Sequence, residues 1–512
     1  MRILLAIAVL LTGCATSEEG PPAGTGAGDP AVVRTDAGTV RGTTTGTYRL
    51  YQGIRYGTAA RWETPRPAPA WRGVKDATRP GPMCPQVGSD YADISSENED
   101  CLYLNVTTPP GPAGPDARRP VMVWIHGDGA VGAGHFSDAR RLAAEGVVVV
   151  TVNYRLGVFS GFGYPGLRDP GTYGLQDQQE ALRWVRRNAA AFGGDPGNVT
   201  VFGVSFGALA IGGQLTSPGA QGLFQRAIMQ SGETMMDMPA GSMMPGLPAY
   251  PSFAWRTGAE VTAMGQYYAE QLGCADLACL RALPVSKILA APQIMNAFQV
   301  YAHGNDVLPA APDTALRKGR FHQVPVLAGA TKDEHRIFVG MSYDVRGESP
   351  DYPKLVREAF GRKAPSILKR YPVKRYGSPS VAWATVLTDR MWARATHEQN
   401  TLLARRVPVY GYEFADRKAP MFLPLEADFD WGAYHAGDLP YLFPEPKAAL
   451  SAEQRRLSGQ MVSYWTNFAR TGDPNGRGLP AWPRVESGTL SLAPGAVRPI
   501  DYAAGHDLAF WK

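Results

Sequence analysis

Three segments, far apart in the chain, carry side chains that together could attack a carbonyl carbon. The first is Gly203-Val204-Ser205-Phe206-Gly207, which closes an apolar run over 199–202 and precedes small residues able to begin a helix. Gly-x-Ser-x-Gly between strand and helix is the sequence form of a strained elbow that exposes a serine hydroxyl. The glycines are needed where a side chain would strike neighbouring backbone. A hydroxyl is a weak nucleophile until a base takes its proton, and that base must be oriented by a third group. The second segment, Thr331-Lys332-Asp333-Glu334-His335, leaves an apolar run over 324–330 and offers two adjacent carboxylates. The third, Gly432-Ala433-Tyr434-His435-Ala436-Gly437-Asp438, holds a histidine in a loop of small residues. The chain order serine, acid, histidine suits such an elbow and selects His435 from the eight histidines. Adjacent residues leaving a strand point to opposite sides, so one of Asp333 and Glu334 faces the base. Asp438 is too close to His435 in sequence to be the first choice of acid.

The elements that must position these groups alternate between strand and helix. Runs over 121–126 and 147–154 are almost continuously apolar, as expected of parallel strands buried on both faces. Between 175 and 191, Leu175, Leu182, Val185 and Ala189 recur at helical spacing with charges elsewhere. Gly193-Gly194-Asp195-Pro196 ends that helix and turns the chain toward the elbow strand. Stretches 226–231 and 407–414 are further strand candidates. The pattern predicts an α/β fold with a central, mostly parallel twisted sheet flanked by helices. In such sheets ligands gather at the carboxyl ends of the strands, where all three segments would lie. A length of 512 residues with 44% hydrophobic content allows one large domain with long insertions. A net charge of +5 with no Lys/Arg run does not imply nucleic acid. No internal repeat and no cluster with metal-ligand spacing is visible.

Beyond these segments the chain resembles the type-B carboxylesterase family of α/β-hydrolases, which includes para-nitrobenzyl-type esterases and cholinesterases. The resemblance runs from about Val33 to the C-terminus. It is carried by Glu99-Asp100-Cys101-Leu102-Tyr103-Leu104-Asn105-Val106, by 121–127, by Asn153-Tyr154-Arg155-Leu156-Gly157 and by Asp177-Gln178-Gln179 through 199. Stretches 224–232 and Tyr464-Trp465-Thr466-Asn467-Phe468-Ala469 through 475 add to it. It implies a gorge formed by the insertions, Ser205 as nucleophile, His435 as base and Glu334 as the orienting acid. It further implies an oxyanion hole from the N–H groups of Asp128, Gly129 and Phe206, with Trp124-Ile125-His126-Gly127-Asp128-Gly129-Ala130 matching a His-Gly-Gly-Gly-Phe loop. The expected activity is hydrolysis of small-molecule carboxylic esters to acid and alcohol through an acyl-serine, with no cofactor and no metal. It should fall below about pH 6.5, where imidazole protonates. Alternatives are a non-catalytic binding or adhesion protein on the same fold, and an amidase or thioesterase.

The chain departs from the family pattern at Asp128 (for glycine), Ala130 (for an aromatic), Val204 (for glutamate), Phe206 (for alanine) and His335 (for glycine). A carboxylate 4 Å from a developing oxyanion would repel it by about 4 kcal/mol at an effective dielectric near 20. Asp128 is therefore expected to turn away into a hydrogen-bonded loop, the alternatives being that it is protonated or paired, or that it contacts a cationic or hydroxyl group of the substrate. Val204 and Phe206 would make the pocket floor more apolar and bulkier. Together with Tyr91 as the lone aromatic between Cys84 and Cys101, they count against a choline-type cation. His126 is read as a structural loop histidine.

The start of the chain suggests export. Arg2 precedes an apolar run over 3–10, too short to span a bilayer and suited to a signal peptide. Leu11-Thr12-Gly13-Cys14 resembles a bacterial lipoprotein box. The expected organisation is a signal peptide over 1–13, a tether over 14–31 beginning at a lipidated Cys14, and the catalytic domain over 32–512. Membrane attachment in the cell envelope follows, with a soluble secreted or periplasmic form as the alternative. Of five cysteines, Cys84 and Cys101 match the family's first disulfide, and Cys274 and Cys279 would close a short second loop. Closing the first would stabilise by about 3 kcal/mol. Met235, Met236, Met238, Met243 and Met244 lie among prolines and glycines. They suit either a mobile wall of the gorge or a loop packed on its own domain. The aromatic stretch 422–434 could equally line the pocket or pack.

Overall fold

A computed structural model describes Asp29 and residues 31–511, apart from 90, 91, 93 and 112–116. The signal segment, Cys14, most of the tether and Tyr91 lie outside the described residues. Numbered along the chain, the strands of the central sheet are β1 Thr43–Thr44, β2 Arg49–Arg55, β3 Tyr103–Thr108, β4 Arg119–Ile125, β5 Val148–Val152 and β6 Gly194–Val204. They continue as β7 Arg226–Gln230, β8 Val326–Thr331, β9 Val409–Phe414, β10 Thr489–Leu492 and β11 Arg498–Ile500. Their spatial order is β11-β10-β9-β8-β7-β6-β4-β5-β3-β2-β1. From β10 to β5 neighbouring strands run parallel, while β11 at one edge and β3, β2 and β1 at the other are antiparallel.

Both faces of the parallel strands are covered, which explains their unbroken apolar runs. Val121, Val123 and Ile125 of β4 enter one core layer, and Met122 and Trp124 enter the other. Strand β4 lies between β5 and β6, so the chain leaves it first to one side and later to the other. That reversal opens a crevice at the carboxyl ends of β4 and β6. It brings the loop after Ile125 beside the turn after Val204.

The predicted helix is α1, Tyr173–Asn188, and the chain turns at Gly193 with φ +82°. Its predicted apolar face is buried, but so are Gln176, Gln178 and Gln179 and the two charges Asp177 and Glu180, which the reading placed away from that face. The two charges are tolerated because they are paired, Asp177 with Arg155 and Glu180 with Arg183 and Arg187. Asp177 receives the Arg155 guanidinium through two bonds of 2.7 and 2.8 Å and the Arg155 N–H at 3.0 Å.

Cys84–Cys101 and Cys274–Cys279 are both disulfide-bonded. The first part of the methionine-rich stretch is packed and clamped, while Met244 is 55% exposed. Met235, Met236 and Met238 are buried, and Asp237 is held by Arg390 and Arg394. The Thr234 N–H donates to Gln399 at 2.7 Å, and Met238 bridges to Tyr250. Among the described residues, no helix is long and apolar enough to cross a membrane.

Candidate active site

Ser205 joins β6 to the helix α2, Phe206–Thr216, with φ +56° and ψ −124°. A non-glycine residue in this region costs about 1–3 kcal/mol, held in place by its surroundings. The surroundings here are the last carbonyls of β4. A Cβ on Gly203 would lie 2.5 Å from the Ile125 oxygen, and one on Gly207 would lie 2.2 Å from the same atom. Glycine at both positions is thus dictated by the close approach of β4, and the serine takes the strain.

The structure brings Glu334 and His435 together. Glu334 is fully buried; its Oε1 accepts the Thr331 N–H at 2.6 Å, and its Oε2 meets His435 Nδ1 at 2.5 Å. With Nδ1 so engaged, Nε2 is the ring nitrogen left to take a proton from a hydroxyl. Asp333 points the other way and docks the base loop. Its N–H donates to the Ala433 carbonyl at 3.0 Å, and its Oδ2 accepts the Ala433 N–H at 3.0 Å. Arg417 and Arg336 pair with its carboxylate. The two adjacent acids thus contact different groups, Glu334 the His435 ring and Asp333 the loop that carries it.

Around the imidazole stand groups with no distinguishing sequence signal. Phe338 and Trp392 flank His435 with ring centroids at 5.2 and 4.9 Å. Trp392 sits in a π-helical turn, Thr388–Ala393, and its indole N–H donates to His335 Nδ1 at 2.9 Å. His335 Nε2 faces the Ser242 carbonyl at 2.8 Å. Since indole only donates, Nε2 carries the His335 proton. Burial pushes its pKa down to about 4, so the ring is neutral. His335 therefore ties the methionine-rich stretch to the π-helical turn. Asp389 in the same turn meets His506 Nδ1 at 2.7 Å, and His506 Nε2 meets Glu413 at 3.0 Å.

Two further buried carboxyls stand near the pair. Burial, reinforced by the neighbouring Glu334, holds the Glu233 carboxyl well above the usual range, and it accepts the Thr396 hydroxyl at 2.8 Å. Asp438 is pushed up to about 6, mainly by burial, and does not touch His435 as an orienting acid would. The aromatic stretch 422–434 packs with Ile337 and Phe338.

The loop after β4 is fixed at every residue. Tyr154 donates to the His126 carbonyl at 2.7 Å, and the Gly127 carbonyl meets His126 Nδ1 at 3.0 Å. Burial lowers the pKa of His126 to about 4, so it serves as a neutral donor. Gly129 N–H also donates to the Gly127 carbonyl at 3.0 Å, closing a γ-turn on Asp128 at φ +68°. Asp128 Oδ1 accepts the N–H groups of Ala130 at 2.9 Å and Val131 at 3.1 Å, and the Gln299 amide at 3.1 Å. The carboxylate is thus turned into its own loop, as expected. Phe206 lies beneath this turn, where a Cβ on Gly129 would come within 2.5 Å of its ring, and it stacks on Tyr301 at 4.9 Å. Phe206 and Val204 are both buried within the core layers. The bulk expected at the pocket floor is therefore spent on packing.

The carboxylesterase family model matches residues 29–511. The chain is 33% identical over 489 residues to para-nitrobenzyl esterase of Bacillus subtilis (strain 168), covering 90% of this chain and 93% of that one. It is 32% identical to human cocaine esterase, covering 88% and 84%, and 32% identical to mouse pyrethroid hydrolase Ces2a, covering 83% and 79%. A solved PNB esterase superposes with a TM-score of 0.73 at 30% identity, covering 92% of this chain and 98% of the other. The chain belongs to the carboxylesterase family and is a serine carboxylic ester hydrolase on the α/β-hydrolase fold.

Proposed function

We propose that Ser205 is the acylated residue, His435 the general base and then acid, and Glu334 the group that orients it. The 2.5 Å contact between Glu334 and His435 Nδ1 carries this reading. In the forward step His435 Nε2 takes the hydroxyl proton while Ser205 Oγ attacks the ester carbonyl carbon. The carbonyl oxygen becomes an oxyanion facing the N–H groups of Asp128, Gly129 and Phe206. The Phe206 N–H opens α2, so it has no acceptor within the helix and stands at the positive end of the helix dipole. The Gly129 N–H would share its hydrogen between the Gly127 carbonyl and the oxyanion. Collapse expels the alcohol, which takes its proton from the imidazolium. Water then attacks the acyl-serine with His435 again as base, releasing the acid.

The relatives' names, para-nitrobenzyl esterase, cocaine esterase and pyrethroid hydrolase, support small-molecule esters with aromatic acyl or alcohol parts as substrates. The test is a burst assay with p-nitrophenyl esters on wild type and Ser205→Ala. A burst followed by turnover, absent in the variant, is the expected result. Equal silence of both proteins across short and long acyl chains, with no fluorophosphonate labelling at Ser205, would overturn the assignment. The sequence Leu11-Thr12-Gly13-Cys14 supports anchoring through a lipidated Cys14. Cys14→Ser should then move activity from the membrane fraction to the soluble one.

A further inference from the structure

Gln230 is the last residue of β7 and is fully buried. Its main chain and side chain face different parts of the site. The backbone carbonyl accepts the Ser205 N–H at 2.8 Å, which ties it to the elbow. The side-chain Nε2 donates to Asp438 Oδ2 at 2.9 Å, which ties it to the loop that carries His435. The amide orientation is fixed from both ends. Trp465, which can only donate, gives its indole N–H to Gln230 Oε1 at 3.2 Å, so the NH2 group must face the carboxylate. Asp438 Oδ2 also accepts the Tyr412 hydroxyl at 3.2 Å, while its Oδ1 is buried with no hydrogen-bond partner. Strand β7 is itself held by parallel ladders to β6 and β8, so the anchor is rigid.

We propose that Gln230 is a positioning residue that brackets the nucleophile elbow to the base loop through Asp438 and thereby sets the alignment of Ser205 with His435. The proposal rests on the assignment of Ser205 and His435 given above. The Glu334–His435 contact fixes how the ring is turned, but the separation between the base loop and the elbow needs a tie of its own. Gln230 supplies one through a single side chain, with backbone bonded to one partner and amide to the other. Losing that tie leaves every reacting group present and lets the loop drift relative to the hydroxyl. A misplacement of about 1 Å at a reacting centre costs on the order of 100-fold in rate.

The test is a set of variants: Gln230→Met, which keeps the length and removes the amide; Asp438→Leu, which removes the acceptor; their double; and Asp438→Asn. The asparagine keeps an oxygen that can accept the Gln230 amide, so it preserves the tie without the charge. Gln230→Met and Asp438→Leu are each expected to lower kcat for a p-nitrophenyl ester by about 10- to 100-fold, with KM within about twofold. Phosphonylation of Ser205 by a fluorophosphonate should slow in parallel. The double variant should be no slower than the slower single, and Asp438→Asn should keep kcat within about threefold of wild type. Denaturation midpoints measured on each protein separate loss of alignment from loss of fold.

Losses that multiply in the double variant would overturn the bracket. So would an Asp438→Asn as slow as Asp438→Leu, since charge and not the tie would then matter. Folded Gln230→Met and Asp438→Leu proteins with wild-type kcat would overturn it as well. Failure of the underlying assignment looks different: turnover would then persist in Ser205→Ala.

Discussion

At the scale of single residues, Asp128 shows how a departure from the family pattern is absorbed. Its carboxylate would be unfavourable near an oxyanion, but Oδ1 is occupied by the N–H groups of Ala130 and Val131 and the Gln299 amide. Aspartate also tolerates φ +68° better than most side chains, because it can bond to its own backbone. Geometry, and not charge, is then what the position supplies. Asp128→Asn keeps the acceptor and should retain kcat within about threefold. Asp128→Ala removes the acceptor at a strained φ and should lower kcat by about 10-fold, less than the roughly 100- to 1000-fold that outright loss of an oxyanion donor costs, since the proposed N–H donors would shift but remain. Steady-state kinetics on the two variants checks this. Ser205, Glu334 and His435 could be singled out in the sequence as candidates because chain order and loop placement are local signals, and the contact between Glu334 and His435 is what the fold adds. The way Asp128 and His335 are held was not legible there. Gln299 lies 171 residues from Asp128, and His335 is fixed by Ser242 and Trp392, neither of them a sequence neighbour.

At the scale of elements, the six strands β4 to β9 were legible from their apolar runs to within two or three residues at most ends, while β1, β2, β3, β10 and β11 toward the sheet edges were not. Helix α1 was legible in position but not in burial. Periodicity sees a polar side chain and assigns it to solvent, while a bidentate partner such as Arg155 allows it inside. With Arg155 and Asp177 side chains 5% and 0% exposed, breaking the pair leaves an uncompensated buried charge. Asp177→Ala should destabilise by about 3–5 kcal/mol, read as a shift in the urea midpoint. An exposed pair such as Lys354–Glu358 should give less than about 1 kcal/mol on the same assay. The π-helical turn Thr388–Ala393 carries no signal either, because the residues around it read as one continuous helix. Yet it presents Thr388 to the His335 N–H, Asp389 to His506 and Trp392 to His435.

At the scale of the whole molecule, the C-terminal segment is fastened to the back of the site. His506 lies between Asp389 and Glu413, Asp507 pairs with Arg370, and the Trp511 indole donates to Tyr371 at 2.8 Å. Burial opposes the imidazolium, but hydrogen bonds to Asp389 and Glu413 outweigh it and raise the His506 pKa to about 9. An unfolded histidine titrates near 6.5. The folded state therefore binds the proton more tightly, and this contribution to stability is fully present below about pH 6.5 and is lost as pH rises through about 9. Thermal melts from pH 6 to 10 should show wild type losing more stability than His506→Gln across that window. Parallel curves would remove His506 as the cause.

The same fastening has a consequence for how the molecule is made. Synthesis delivers Ser205 first, Glu334 and His435 much later, and His506 after both. Until then the turn bearing Trp392 lacks its Asp389 anchor. A nascent chain would thus travel with the proposed nucleophile already made and its proposed acid and base not yet in place. Stalled chains released before residue 502 should give no p-nitrophenol burst, and activity should appear only once the segment carrying His506 docks.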